Sequence, residues 1–196
     1  MLVLVVGPSG AGKDTLLNAA RAALAGDRRF RFVQRAATRP AQPDGEQNEA
    51  VDETTFLARQ EAGAYALSWR TNGVHFGIPA DIALDLDAGR VVVANVSRAM
   101  VGQAASRFPV RVVEVTASPD RLARRMAARG RNDAVGAALR LSRPVRLPEG
   151  VEKEVLVNDG TIEQGARKLT AALTRHAAVR AAMAGFTAAP AEAAPR

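Results

Sequence analysis

The chain has 196 residues and a mass of 20.6 kDa, which makes one compact domain the default expectation. Its 47% hydrophobic and 24% charged residues exclude a wholly disordered chain, and the absence of Cys excludes a disulfide-stapled module or a thiolate zinc site. The net charge of +7 is carried almost entirely by arginine, since Lys13, Lys153 and Lys168 are the only lysines. An anionic small substrate suits that balance, although a coding bias toward Arg and Ala accounts for it equally well. With 4% aromatic residues and no recognised nucleic-acid-binding pattern, nucleic acid is not an expected partner. The opening apolar stretch, Met1 to Val6, runs into Gly7 and Pro8 and is too short for a signal-peptide core or a membrane span. A cytoplasmic protein without a membrane partner is expected.

In chain order, residues 2–6 form a continuous Val- and Leu-rich run, the pattern of a strand buried on both faces of a parallel sheet. Residues 14–24 follow as a helix with Leu16, Leu17, Ala20 and Leu24 on one face. The segment 35–77 is polar, broken by Pro40, Pro43 and Gly45, and holds the only Trp and Tyr; it reads as an inserted substrate-binding lobe. Further inner strands are predicted over 91–96, 110–115 and 155–157, with helices over 80–87, 99–106, 119–129 and 162–180. Pro119 behind Ser118 suits a first helical position, and Asn158-Asp159-Gly160 is a turn signal that stops the last strand. Residues 129–146 form a second, arginine-dense insertion, and from Met183 onward Ala, Pro and Gly dominate without periodicity, which reads as a flexible tail after a single domain over 1–182. The alternation of strands and helices predicts an α/β fold, a parallel sheet flanked by helices.

Gly7-Pro8-Ser9-Gly10-Ala11-Gly12-Lys13 fits the first seven positions of the phosphate-loop pattern G-x-x-x-x-G-K-[ST], and it stands where that loop must stand, between a buried strand and a helix. There the backbone N–H groups curl around phosphate oxygens, the helix start adds its positive end, and Lys13 reaches the β- and γ-phosphates. The eighth position departs from the pattern. It holds Asp14, followed by Thr15, where a hydroxyl normally faces Mg²⁺. Either Thr15 takes over the metal while Asp14 caps the helix, or the Asp14 carboxylate, a better ligand for a hard cation, holds it.

The phosphate loop, Ala37-Thr38-Arg39-Pro40 with Gly45-Glu46 behind it, Gly73-Val74-His75-Phe76-Gly77, the arginine-rich segment and Val157-Asn158-Asp159 occur in the order found in guanylate kinases. The chain resembles that superfamily of P-loop kinases from Leu2 to about Leu173. Three details resemble one branch of it, the ribose 1,5-bisphosphate phosphokinases of phosphonate breakdown: Gly12-Lys13-Asp14, Leu67-Ser68-Trp69 and Asn95-Val96-Ser97-Arg98. The resemblance implies a nucleoside-monophosphate-kinase-like sheet, an acceptor lobe, an arginine lid, Mg²⁺ and ATP as co-substrate.

Departures from guanylate kinases carry physical content. Leu67 aligns with a Glu that accepts hydrogen bonds from guanine, and Asn95 and Ser97 align with an acidic pair. His75 and Phe76 align with the tyrosine pair that binds the acceptor phosphate. A purine site without its fixed acceptors loses selectivity, because buried donors on the base go unpaired. Positive charge at Arg70 and Arg98 replaces base recognition, an exchange that fits a doubly phosphorylated sugar.

The resemblance further implies Arg129, Arg131, Arg140 and Arg143 as lid residues around the transferring phosphoryl group, and Asn158 on the adenine side. For the acceptor it implies Arg35, Thr38 and Arg39, with Glu46, His75, Asn95, Ser97 and Arg98 around it; Glu46 and Glu49 are equally at home as solvated carboxylates. Arg121, Arg124 and Arg125 read as a solvated helix face, and His176 as a surface residue. No activated base stands out and none is needed, because a phosphate-monoester acceptor is already largely ionised, with a second pKa of about 6. The expected reaction is ATP-dependent phosphorylation of ribose 1,5-bisphosphate. Guanylate kinase is the alternative enzyme, and an inactive protein-binding module the alternative of another class; an intact Lys13 and glycine set argue against the latter.

Overall fold

The five apolar residues of β1 (Leu2–Val6) are all buried, and their side chains divide between two cores as the pleat alternates. Val3 and Val5 face Leu16, Leu17, Leu122, Leu169 and Leu173; Leu2, Leu4 and Val6 face Leu67, Ile78, Ile82 and Met100. This two-sided burial puts β1 at the centre of a parallel five-stranded sheet. Its order is β2 (Phe30–Phe32), β7 (Val91–Asn95), β1, β8 (Val110–Thr116), β9 (Glu152–Val157). The computed structural model describes residues 1–39, 48–127 and 147–187. One face of the sheet carries α1 (Lys13–Ala23), α5 (Pro119–Ala127) and α6 (Ile162–Thr187). The other carries α3 (Ile82–Asp87), a 3₁₀ turn at Arg98–Met100 and α4 (Val101–Ala105). No helix among the described residues is long and apolar enough to cross a membrane.

The inserted segment builds a second sheet, ordered β4 (Glu49–Ala50), β3 (Ala36–Ala37), β6 (Val74–Pro79), β5 (Tyr65–Thr71), with α2 (Glu53–Glu61) alongside. Asp52 starts α2 by accepting from the Thr55 amide at 2.8 Å. Asn72 and Gly73, both at positive φ, close the β5–β6 hairpin with the turn that such a pair favours. Leu67 and Ile78 join the core beneath the main sheet, so the lobe is packed onto the body.

Several elements differ from the sequence expectation. β2 is absent from it, because Phe-Arg-Phe is too short for a period to show. β9 begins at Glu152, three residues earlier than expected, because its charges are satisfied across the strand pair: Lys153 Nζ meets the buried Glu114 at 2.8 Å, and Glu152 meets Arg111. The helix predicted over 99–106 opens as a 3₁₀ turn, and α3 starts at Ile82 instead of residue 80. α6 continues to Thr187, past the expected helix end at 180; an Ala-rich run without Pro favours its propagation.

Candidate active site

β1 ends in a turn that only glycine can make. A Cβ on Gly7, whose φ is 142°, would stand 1.9 Å from the Val115 carbonyl oxygen on β8. Helix α1 opens at Lys13 with Gly12 as its N-cap and no side-chain cap, so its first amides are left for whatever occupies the loop. Lys13 Nζ lies across the loop and donates to the carbonyls of Gly7 at 2.8 Å and Pro8 at 3.0 Å. These contacts hold the ammonium against the loop's own backbone.

A loop whose N–H groups face a ligand turns carbonyls the other way, and these need donors. Asn158, 5% exposed, supplies one: its Nδ2 donates to the Ala11 carbonyl at 2.8 Å. Arg125 reaches the Gly10 and Ala11 carbonyls at 3.3 and 3.4 Å and the Asn158 carbonyl at 3.1 Å. Asn158 is therefore a brace of the loop, tied to its Ala11 carbonyl. Arg125 is corrected from solvated face to loop support, whereas Arg121 and Arg124 on the same helix are exposed. No periodic signal separates Arg125 from its neighbours; only the docking of α5 against the loop does.

Asp14 is half-buried in the first turn of α1 and accepts from Asn95 Nδ2 at 2.9 Å. Since Gly12 is the N-cap, Asp14 is not the helix cap, which removes one of its two expected roles. Thr15 is exposed. Asn95 ends β7, is 5% exposed, and directs its amide to Asp14. Its neighbour Ser97 starts the 3₁₀ turn, and Arg98 is half-buried within it.

On the lobe side, Arg35 is 8% exposed and held from three directions: Nε donates to Asn48 Oδ1 at 3.0 Å, Nη1 donates to the Asn95 carbonyl at 3.1 Å, and the guanidinium lies 4.5 Å from the Phe76 ring centroid. Trp69 stacks on Phe76 at 5.4 Å, extending this wall. Arg39 also lies against this wall, 5.5 Å from the Phe76 centroid, with its Nε buried and without a hydrogen-bond partner among the described residues. Phe76, Arg35 and Arg39 thus share one surface.

His75 does not share it. Strand alternation turns its ring to the face opposite Phe76, against Phe56 at 5.3 Å and Glu53 at 3.1 Å. Thr38 is engaged in the β3–β6 junction, accepting from the His75 amide at 2.9 Å and donating its own amide to the His75 carbonyl at 3.0 Å. Glu49 pairs with Arg59 at 2.6 Å on the exposed edge, away from this surface. Leu67 is 1% exposed in the core and accepts no hydrogen bond from a ligand. Glu46, Arg129, Arg131, Arg140 and Arg143 lie outside the described residues. Asn48 was missed in the sequence because a lone amide in a polar loop carries no pattern.

His176 is also corrected. Its side chain is 12% exposed, its Nε2 is buried without a hydrogen bond among the described residues, and desolvation lowers its pKa from the ordinary 6.5, with Arg111 and Arg175 adding to the effect against the pull of Glu154.

No family model matches the chain. The guanylate kinase of Anaplasma phagocytophilum is similar in structure at TM-score 0.66 over 90% of this chain and 85% of that one, with 19% identity, a likeness of fold. The ribose 1,5-bisphosphate phosphokinase PhnN of Acidiphilium cryptum is 48% identical over 84% of this chain and 87% of its own length. That of Methylobacterium radiotolerans is 48% identical over 88% of this chain and 96% of its own length. Identity of that order along nearly the whole of both chains is a relationship of family as well as of fold, and the chain belongs to the ribose 1,5-bisphosphate phosphokinase family.

Proposed function

We infer that this protein transfers the γ-phosphoryl group of ATP to the 1-phosphate of ribose 1,5-bisphosphate, forming 5-phosphoribosyl 1-diphosphate and ADP. The observation that carries this reading is the pairing of an intact phosphate loop with an acceptor wall in which Arg35, Arg39, Phe76 and Leu67 offer guanidinium groups and apolar side chains, with a leucine where a base-accepting carboxylate would stand. Guanine recognition needs fixed hydrogen-bond acceptors, and a buried leucine supplies none.

An oxygen of the acceptor 1-phosphate attacks the γ-phosphorus, the bond from that phosphorus to the β,γ-bridging oxygen breaks, and ADP leaves with the electron pair. The acceptor oxygen is already ionised near neutral pH, so no general base is required. Two anions must be brought in line, and charge on the transferring group must be offset. Lys13 serves the β- and γ-phosphates, while Arg35 and Arg39 orient the acceptor. Arg129, Arg131, Arg140 and Arg143 belong, in this reading, to a lid over residues 129–146 that excludes water and suppresses ATP hydrolysis.

A single half-buried carboxylate beside the phosphate loop fits Mg²⁺, which takes one or two carboxylates together with substrate oxygens and water. Asp14 is the residue that would hold it, directly or through a water, and the cation when bound would offset charge on the β- and γ-phosphates. Exposed Thr15 is the weaker candidate. An ATP-consuming reaction on phosphorylated sugars suits the cytoplasm.

A thermal-shift panel with ATP, ribose 1,5-bisphosphate and GMP tests the acceptor. A saturating ligand that binds only the folded state raises stability by about 2.7 kcal/mol at a hundred times its Kd. Stabilisation by ribose 1,5-bisphosphate and not by GMP is expected; the reverse pattern restores guanylate kinase.

A further inference from the structure

The acceptor lobe and the phosphate-loop helix meet through three successive hydrogen bonds among polar residues, one of them to a backbone carbonyl. Asn48 Oδ1 accepts from Arg35 Nε at 3.0 Å, Arg35 Nη1 donates to the Asn95 carbonyl at 3.1 Å, and Asn95 Nδ2 donates to Asp14 Oδ1 at 2.9 Å. Asn48, Arg35 and Asn95 are 9%, 8% and 5% exposed, so the two bonds of Arg35 are buried, and the third, to half-buried Asp14, is partly so. A buried polar group that loses its partner pays its full desolvation cost, which makes such a line resistant to partial rearrangement. Its arginine also lies against Phe76 at 4.5 Å and Trp69 at 5.9 Å, tying it to both strands of the lobe hairpin.

We propose that Asn48 and Asn95 are positioning residues, which through Arg35 lock the acceptor lobe to Asp14 so that nucleotide at the phosphate loop and the lobe are energetically coupled. The inference rests on the reading of Asp14 as the metal-side carboxylate, but not on the identity of the acceptor. Each asparagine controls one end of the line: removing the Asn95 amide frees Asp14 while leaving the Asn95 carbonyl for Arg35, and removing the Asn48 amide frees the lobe end. Because coupling is reciprocal, an event at Asp14 must be felt at the lobe.

Trp69 is the only tryptophan in the chain and stands at the lobe end, so its fluorescence reports the lobe alone. Titrating the full-length protein with Mg²⁺ and ADP is expected to change Trp69 emission saturably, with the midpoint found by calorimetry. Asn95→Ala and Asn48→Ala should still bind Mg²⁺·ADP within a few-fold of the unmodified affinity, while the emission change falls below about half. Asn48→Asp keeps an acceptor oxygen for Arg35 and should retain the response, which a loss of packing would not allow. Full response in both alanine variants, or a silent Trp69 while the unmodified protein binds Mg²⁺·ADP, overturns the proposal. No sugar phosphate enters this measurement, so an error in the assigned acceptor leaves its outcome untouched. Should Asn48→Ala fail to fold, Asn95→Ala decides the matter from the other end.

Discussion

Lys13 is held by two backbone carbonyls of its own loop, at 2.8 and 3.0 Å, so the ammonium is positioned before any phosphate arrives. Lys13→Ala should therefore cost turnover more than folding: at least about a hundred-fold in kcat, roughly 3 kcal/mol of barrier, with an unchanged melting temperature. Steady-state transfer rates beside thermal melts check both halves. For the metal, burial and contact set Asp14 apart from Thr15. Asp14→Asn is expected to raise the Mg²⁺ concentration for half-maximal activity and slow transfer, whereas Thr15→Val should leave the Mg²⁺ curve in place. A shift confined to the Thr15 variant would give the cation to the hydroxyl instead. Asn158 and Arg125 show how far residue type misleads: one has the look of a turn former and the other of a solvated arginine, and both brace the phosphate loop.

At the scale of elements, edge strand β9 is attached to β8 by charges as well as by its backbone ladder, and α6 packs over the same edge. His176 of α6 is caught in that junction, 4.0 Å from Glu154, with its pKa lowered chiefly by desolvation. The unfolded chain then binds the histidine proton more tightly than the folded one, so stability rises with pH across the interval between the folded pKa and the ordinary 6.5. Its contribution is present above pH 6.5 and is lost as pH falls through the folded value. Melting temperatures between pH 5 and pH 8 should accordingly fall on the acid side, and His176→Gln should flatten that part of the profile. A profile unchanged by the substitution would show that carboxylates alone govern the acid limb. The shortfall in the predicted β9 has the same origin, because a strand of alternating charges looks exposed until its partners on β8 are placed opposite.

For the whole molecule, the relative placement of lobe and body decides what is phosphorylated. With Leu67 buried and a neutral amide at Asn95, no carboxylate for guanine stands at those positions, so kcat/KM for ribose 1,5-bisphosphate should exceed that for GMP by orders of magnitude in parallel assays. A larger value for GMP would reverse the assignment. The α/β class, the phosphate loop, the inserted lobe and the family are legible along the chain, because those rest on local patterns: a Val- and Leu-rich run before a glycine turn, helical periodicity after it, and motifs in order. What depends on the assembled fold is that His75 packs on Phe56 while Phe76 faces Arg35, that Asn48 pins that arginine, and that Asn158 and Arg125 hold carbonyls of the phosphate loop. Each of these depends on a partner distant in sequence, brought close by the burial of β1 on both faces and by the docking of the lobe onto the same core, and no spacing along the chain encodes which buried polar atom will find which.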